Sequence, residues 1–296
     1  MIHIIIHIQP AEIDMLENLL IQLKRNSVYL PKDHGIYVEV CMNCNLVDKE
    51  NSKLPIGFFS QKLFSLREIT KSWCDADLRC EIFKVFWGCN DVRRIAVRAT
   101  THPYIMYLDA DCIFSDTMLA NMYDSVGALG DSYSIVTPQT TRMWDNTWDP
   151  IVNISFMKEE AHHEVYDVRD PYEAVHISDL SDHYLQQINT FKFAGWGTTI
   201  STKLARLIDI PDSLGSYGLD DTFIMAGCQV LKDKGYPVQQ YTIQNQVIIE
   251  NNKFRINPYE GYIKTIDRKQ EFLAQAHANF QPELQKLYDR IKPYQP

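Results

Sequence analysis

Several things are scarce in this chain, and each scarcity closes off a class of function. Basic residues are outnumbered, with 29 Lys and Arg against 38 Asp and Glu in 296 residues and a net charge of -9. No basic stripe is present to neutralise phosphates, which argues against a nucleic-acid binder. No apolar run reaches membrane-spanning length, and the N-terminus has the pattern of a strand rather than a signal peptide. The seven cysteines are an odd number and scattered. Cys41 and Cys44 form a single CxxC with no second pair nearby, which does not point to zinc. Buried free thiols in a reducing compartment account for Cys112 and Cys228. Internal repeats and low-complexity stretches are also missing. What remains, 45% hydrophobic and 23% charged, is the stuff of an ordinary globular core, enough for one large α/β domain or two small ones.

The stretch that organises the rest is residues 104–115, Tyr-Ile-Met-Tyr-Leu-Asp-Ala-Asp-Cys-Ile-Phe-Ser. Apolar residues lead to Asp109 and Asp111 and resume at Cys112. This predicts a strand buried on both faces, as in a parallel sheet. Carboxylates at i and i+2 of an extended chain leave the same face. At the carboxyl end of a central strand they would face the crevice where open α/β sheets bind ligands. Two such oxygens repel unless a cation lies between them, and Mn²⁺ or Mg²⁺, bringing a phosphate, is the natural one. The plainer alternative is a strand-end turn, where Asp is common.

Around that stretch the pattern alternates. Residues 2–8 predict a first strand, ending at Gln9-Pro10, and His3 and His7 in it are explained by local partners. Residues 11–25 carry Ile13, Leu16, Leu19, Leu20 and Leu23 at helical spacing. A strand follows at 36–42, a loop at 49–55, a helix at 61–73 and a strand at 80–87. Residues 91–100 predict a short helix with Arg93, Arg94 and Arg98. After the acidic pair comes a helix with Met118, Leu119, Met122 and Val126 inward, then a strand at 133–136. Residues 140–183 are rich in Trp, Asp and His and predict a functional loop. A strand at 189–194 leads to the Gly195-Trp196-Gly197 turn. Asp220 and Asp221 head a helix through Phe223, Ile224, Cys228 and Leu231. As acids in a first turn they also suit the helix dipole and capping alone. Strands at 238–243 and 246–250 and two short helices around Pro282 complete the chain.

Taken together these pieces resemble a glycosyltransferase of the GT-A fold, family 2-like and mostly inverting. The resemblance rests on the Pro-bearing turn after the first strand and the Arg-bearing helix before Tyr-Leu-Asp-Ala-Asp. It rests further on the Ala-Gly-Trp-Gly turn, on Gly-Leu-Asp-Asp-Thr-Phe, and on Lys234-Gly235-Tyr236. It spans residues 1–250. It departs where the Glu of the family's Glu-Asp pair is Asp220, and where the acids after the second strand shrink to Asn43, Asn45 and Asp48. A third metal ligand is not evident; His176, His183 and His277 qualify by type only. The phrase Tyr-Leu-Asp-Ala-Asp also resembles retaining family 8 enzymes, whose His-Gly-Lys metal signature this chain lacks.

The resemblance implies a Rossmann-like, mixed but mainly parallel sheet flanked by helices. Residues 1–115 would form a nucleotide-binding half, 116–250 an acceptor half, and 251–296 a C-terminal helical extension. It implies metal-dependent transfer of a sugar from a nucleoside-diphosphate sugar, taken as a UDP-sugar, to a glycan, lipid-linked or protein acceptor, with inversion. Asp109 and Asp111 would hold Mn²⁺ or Mg²⁺. Gln9, Asn43, Asp48, Arg93, Arg94 and Asp109 would line the donor, although Arg93 and Arg94 also fit a solvated helix face. By its place in the motif Asp221 would be the base, with Asp220, Trp196 and Gly197 on the acceptor or sugar side. Trp196 could stack on a sugar or sit in the core, and Trp144 and Trp148 could belong to a lid. The expected location is cytoplasmic, or peripheral at a membrane. Retention is one alternative. A haloacid-dehalogenase-like phosphatase is a second, with Asp109 as nucleophile, though Ile113 stands where it wants Thr or Val. A non-catalytic sugar-binding module is a third.

Overall fold

The computed structural model describes residues 2–8, 12–43, 56–81, 88–143, 182–189, 191, 195–251 and 265–295. Gln9, Asp48, Trp144, Trp148, His176 and most of the 140–183 segment lie outside the described residues.

The order is β1 (Ile2–Ile8), α1 (Ile13–Asn26), β2 (Tyr37–Asn43), α2 (Ile56–Thr70), β3 (Asp75–Glu81), α3 (Cys89–Ala99), β4 (Tyr104–Tyr107) and β5 (Cys112–Phe114). There follow α4 (Met118–Leu129), β6 (Ser134–Met143), β7 (Tyr184–Ile188), β8 (Thr198–Ser201), α5 (Thr202–Ile208), α6 (Asp220–Asp233), β9 (Gln239–Asn251) and α7 (Thr265–Arg290). Strand order across the sheet is β3-β2-β1-β4-β8-β6-β9-β5, with β7 also paired to β9. From β3 to β4 all pairings are parallel, and β8 runs antiparallel between β4 and β6.

The period of two in β1 explains why it sits centrally. Ile2, Ile4, Ile6 and Ile8 enter one core, while Ile5 enters the other on the opposite face. In β4, Tyr104 and Met106 join the first core, and Ile105 and Tyr107 the second. Helix α1 buries the five aliphatic residues named above, with Asp14 in its first turn and Lys24 and Arg25 in its last, as the dipole favours. Each such side chain contributes about 1.5–3 kcal/mol on burial.

Several boundaries differ from expectation. The third strand is Asp75–Glu81, and residues 82–87 lie outside the described set. A strand stands at Tyr184–Ile188, and most of the stretch expected as a strand at 189–194 lies outside the described residues. The two closing strands are one, β9, whose pairing with β6 shifts register at Pro138/Gln139 and where Asn245 takes a left-handed φ of 63°. The two C-terminal helices are also one: α7 runs through Pro282. A proline inside a helix costs about 3 kcal/mol. Here burial of Leu273 and Ala276 before it and Leu287 after it offsets that cost. The extension packs on α6, with Phe280 edge-to-face on Phe223 at 5.8 Å. Among the described residues no helix is long and apolar enough to cross a membrane.

Candidate active site

The acidic pair lies just past the carboxyl end of β4, but not on one continuous strand. After Tyr107 the chain leaves the sheet centre, turns with the Cys112 amide donating to the Asp109 carbonyl at 3.2 Å, and pairs as β5 with β9 at the far end of the strand order. The i, i+2 geometry of an extended chain therefore does not apply; a turn presents the two carboxylates. Asp111 is 5% exposed, and the Asp109 side chain is 29% exposed.

The Gly195–Gly197 turn stands at the same end of the sheet. Because β8 runs antiparallel to β4 and Thr198 pairs with Tyr107, the residues before β8 meet those after β4. The Gly197 amide donates to the Tyr107 carbonyl at 2.7 Å. Trp196 is 1% exposed and belongs to the first core cluster, so its ring packs in the core rather than offering a face to a sugar.

The start of α6 is drawn to the same place. Gly218 has a φ of 92°, and a Cβ on it would come within 2.5 Å of the Leu273 side chain. Leu219 follows with a φ of 56°, a left-handed conformation costly for a leucine. These two residues aim Asp220 inward, where it is 4% exposed. Asn90, at the start of α3, donates to the carbonyls of Gly215 at 3.3 Å and Gly218 at 3.0 Å, pinning the loop that leads into α6. The Asp221 carboxylate accepts from the Thr222 amide at 2.7 Å.

Arg93 and Arg94 are both 6% exposed, so neither belongs to a solvated helix face. Arg93 donates to the Asp220 carboxylate and, at 2.5 Å, to the Gly195 carbonyl. It also lies 3.5 Å from Asp109. Burial opposes its charge, but Asp220 above all outweighs that and holds the guanidinium well above its ordinary value. Asp220 is thus engaged by Arg93. Arg94 points away into the 210–215 loop, donating to the carbonyls of Ile210 at 2.9 Å and Pro211 at 3.1 Å. Burial, reinforced by Asp220, pushes the Cys89 thiol up to about 12. Burial likewise raises the Tyr107 hydroxyl, over whose ring the Arg93 guanidinium lies at 4.9 Å.

The structure therefore gathers Asp109, Asp111, Arg93, Gly197 and Asp220 at one end of the sheet, with Asp221 next in chain. Asn43 ends β2, which runs parallel to β1 and so finishes at that same end. Sequence reasoning missed Asn90 and the Gly195 carbonyl; the Asn at a helix start beside a glycine-rich loop was the available signal. Among the described residues no group of three or more His, Cys, Asp or Glu side chains converges as a ready-made metal cage. The two carboxylates nonetheless suit Mn²⁺ or Mg²⁺, which take hard oxygen ligands and commonly complete their shell with phosphate and water.

The family model described as glycosyl transferase family 2 matches residues 65–183. No curated protein matches the chain. Among solved structures, S. aureus TarS 1-349 in complex with UDP-GlcNAc is 12% identical with a TM-score of 0.49, covering 84% of this chain and 58% of its own. The mannosyltransferase PcManGT from Pyrobaculum calidifontis, with GDP-Man and Mn²⁺, is 18% identical with a TM-score of 0.49 and coverages of 97% and 68%. GalNAc-T7 with UDP, GalNAc and Mn²⁺ is 12% identical, with a TM-score of 0.48 and coverages of 96% and 51%. This chain thus spans little more than half the length of the first and third of these. The family match runs from within α2, through the acidic turn, to the residue before β7, and over that stretch the chain is similar to family 2 glycosyltransferases.

Proposed function

We propose that this protein moves a sugar from a nucleoside-diphosphate sugar, read as a UDP-sugar, to an acceptor hydroxyl, with inversion and with help from a divalent metal. The observation that carries this reading is the meeting of the acidic turn after β4 with the start of α6 at the carboxyl end of the parallel strands. Asp109 and Asp111 would hold Mn²⁺ or Mg²⁺. Bound there, the ion supplies charge neutralisation for the departing diphosphate. By its place in the motif at the start of α6, Asp221 would take the acceptor's proton while the acceptor oxygen bonds to the anomeric carbon and the bond to the diphosphate breaks. A base acting opposite the leaving group gives inversion. The acceptor is a glycan, a lipid-linked glycan or a protein, and the setting is cytoplasmic or peripheral at a membrane.

The test is thermal unfolding with Mn²⁺ plus UDP or GDP. Wild type is expected to gain about 2.7 kcal/mol at a hundredfold excess over Kd, and Asp111→Ala to gain nothing. Equal gains in both proteins reject the metal and donor assignment. NMR of the product's anomeric centre then reads inversion or retention directly.

A further inference from the structure

The Arg93 guanidinium is shared among three separated segments of chain. Nη1 donates to Asp220 at the start of α6, Nη2 donates to the Gly195 carbonyl, and Nη2 lies 3.5 Å from Asp109 Oδ1. The approach to Gly195 is close: a Cβ there would fall 2.7 Å from Nη1. A planar fork can serve several acceptors in fixed directions, whereas a lysine ammonium is a point charge on a flexible stem. Burying an ion pair brings little net stability compared with apolar packing. What this arrangement supplies is geometry.

Resting on the glycosyl-transfer reading above, we infer that Arg93 is a positioning residue. It ties the start of α6, and with it Asp221, to the 195–197 turn and to the Asp109 side of the site. It thereby fixes the spacing between the carboxylates that would serve the donor and the one that would serve the acceptor. Its donors to Asp220 and Gly195 are spent within the protein, so gripping a phosphate is not its main task.

Three variants approach the same link from different sides: Arg93→Lys, Asp220→Asn, and Gly195→Ala, whose new methyl displaces the guanidinium. Each is measured for Mn²⁺-dependent hydrolysis of UDP-GlcNAc, UDP-glucose and GDP-mannose. Each is also measured for the stabilisation by Mn²⁺ with UDP or GDP, and for amide hydrogen exchange. Each variant is expected to lower kcat about a hundredfold, the scale of an ångström's misplacement. The KM for donor should stay within about threefold, since uniform binding is not removed. Arg93→Lys combined with Asp220→Asn should be no worse than the worse single variant, because both cut one link. Exchange should quicken at residues 195–197 and 220–224 but not in β1–β4.

A raised KM and a weakened nucleotide response with normal kcat in Arg93→Lys would make Arg93 a phosphate ligand and overturn the inference. So would a lower melting temperature with normal turnover per folded molecule, which marks packing alone. Unchanged exchange in both segments overturns it even where none of the three donors turns over. If Arg93→Lys does not fold, the other two variants carry the same readings. The glycosyl-transfer reading fails separately, when Asp111→Ala keeps the full response to Mn²⁺ and nucleotide. Loss of that response together with wild-type behaviour of all three variants sinks the positioning role alone.

Discussion

On one face of the sheet, β1 meets α1, α2 and α4 through aliphatic and aromatic side chains, and the described buried residues of those helices carry no charge. On the other face, α3, α5, α6 and α7 pack a second core from Ile5, Val92, Phe223, Leu231 and Leu287. That second layer also buries Arg93, Arg94 and Asp220. A buried charge is tolerated only with partners, so every one of these residues is bound to a particular neighbour. The first face rests mainly on fit and apolarity, with Asn26 of α1 as a buried polar link to Ser115 and Leu119, while the second also needs charged partners in fixed directions. The contrast assigns stability mainly to one side and the chemistry to the other, and that division can be tested.

The largest effect should come from Asp221→Asn. An asparagine there keeps an oxygen that can accept from the Thr222 amide, so the melting temperature should hold while donor turnover falls about 10² to 10⁴-fold. Turnover near that of wild type would take Asp221 out of the mechanism. Leu19→Ala should do the reverse, costing about 2–5 kcal/mol in urea titration with turnover per folded molecule unchanged. A matching loss of turnover would show that the two faces are not separable. Arg94→Met tests whether the polar face is also structural. It leaves the carbonyls of Ile210 and Pro211 without their donor and should cost about 1–3 kcal/mol. A neutral result would mean that water replaces the guanidinium there.

The smallest effect concerns pH. The Cys89 thiol has an ordinary value of 9.0 and is pushed up to about 12 by burial. Between those values the unfolded chain releases the proton while the folded chain keeps it. The contribution is therefore intact below pH 9 and lost as pH rises toward 12. Wild type should lose about 1 kcal/mol more than Cys89→Ala between pH 8 and 10. Parallel curves for the two proteins would place the thiol in contact with solvent.

The first face was largely legible in the sequence. β1 has the expected limits of 2–8, and α4 turns inward the four residues that its spacing indicated. Periodicity reports such surfaces because one side is apolar along its whole length. The second face was not legible in the same way. An arginine pair on a short helix left a donor contact and a wet surface equally open, and the partner that buries Arg93 lies 127 residues further on. Trp196 between two glycines left a sugar platform and a core position both open, and its burial depends on strands far away in the chain. The acidic pair itself stood out, but the break between β4 and β5 did not. Sending the next strand to the far end of the sheet is a long-range pairing that leaves no local mark.

The C-terminal helix has a consequence for the order in which the molecule can assemble. Most of the first core comes from residues 2–136 and can begin to close while the rest of the chain is still being synthesised. The second core spans Ile5 to Ile291, and its closure over Phe223 and Gly227 waits for Phe280 and Leu287. Contacts so distant in sequence form slowly. The helix bearing Asp220 and Asp221 is thus among the last parts of the protein to be clamped.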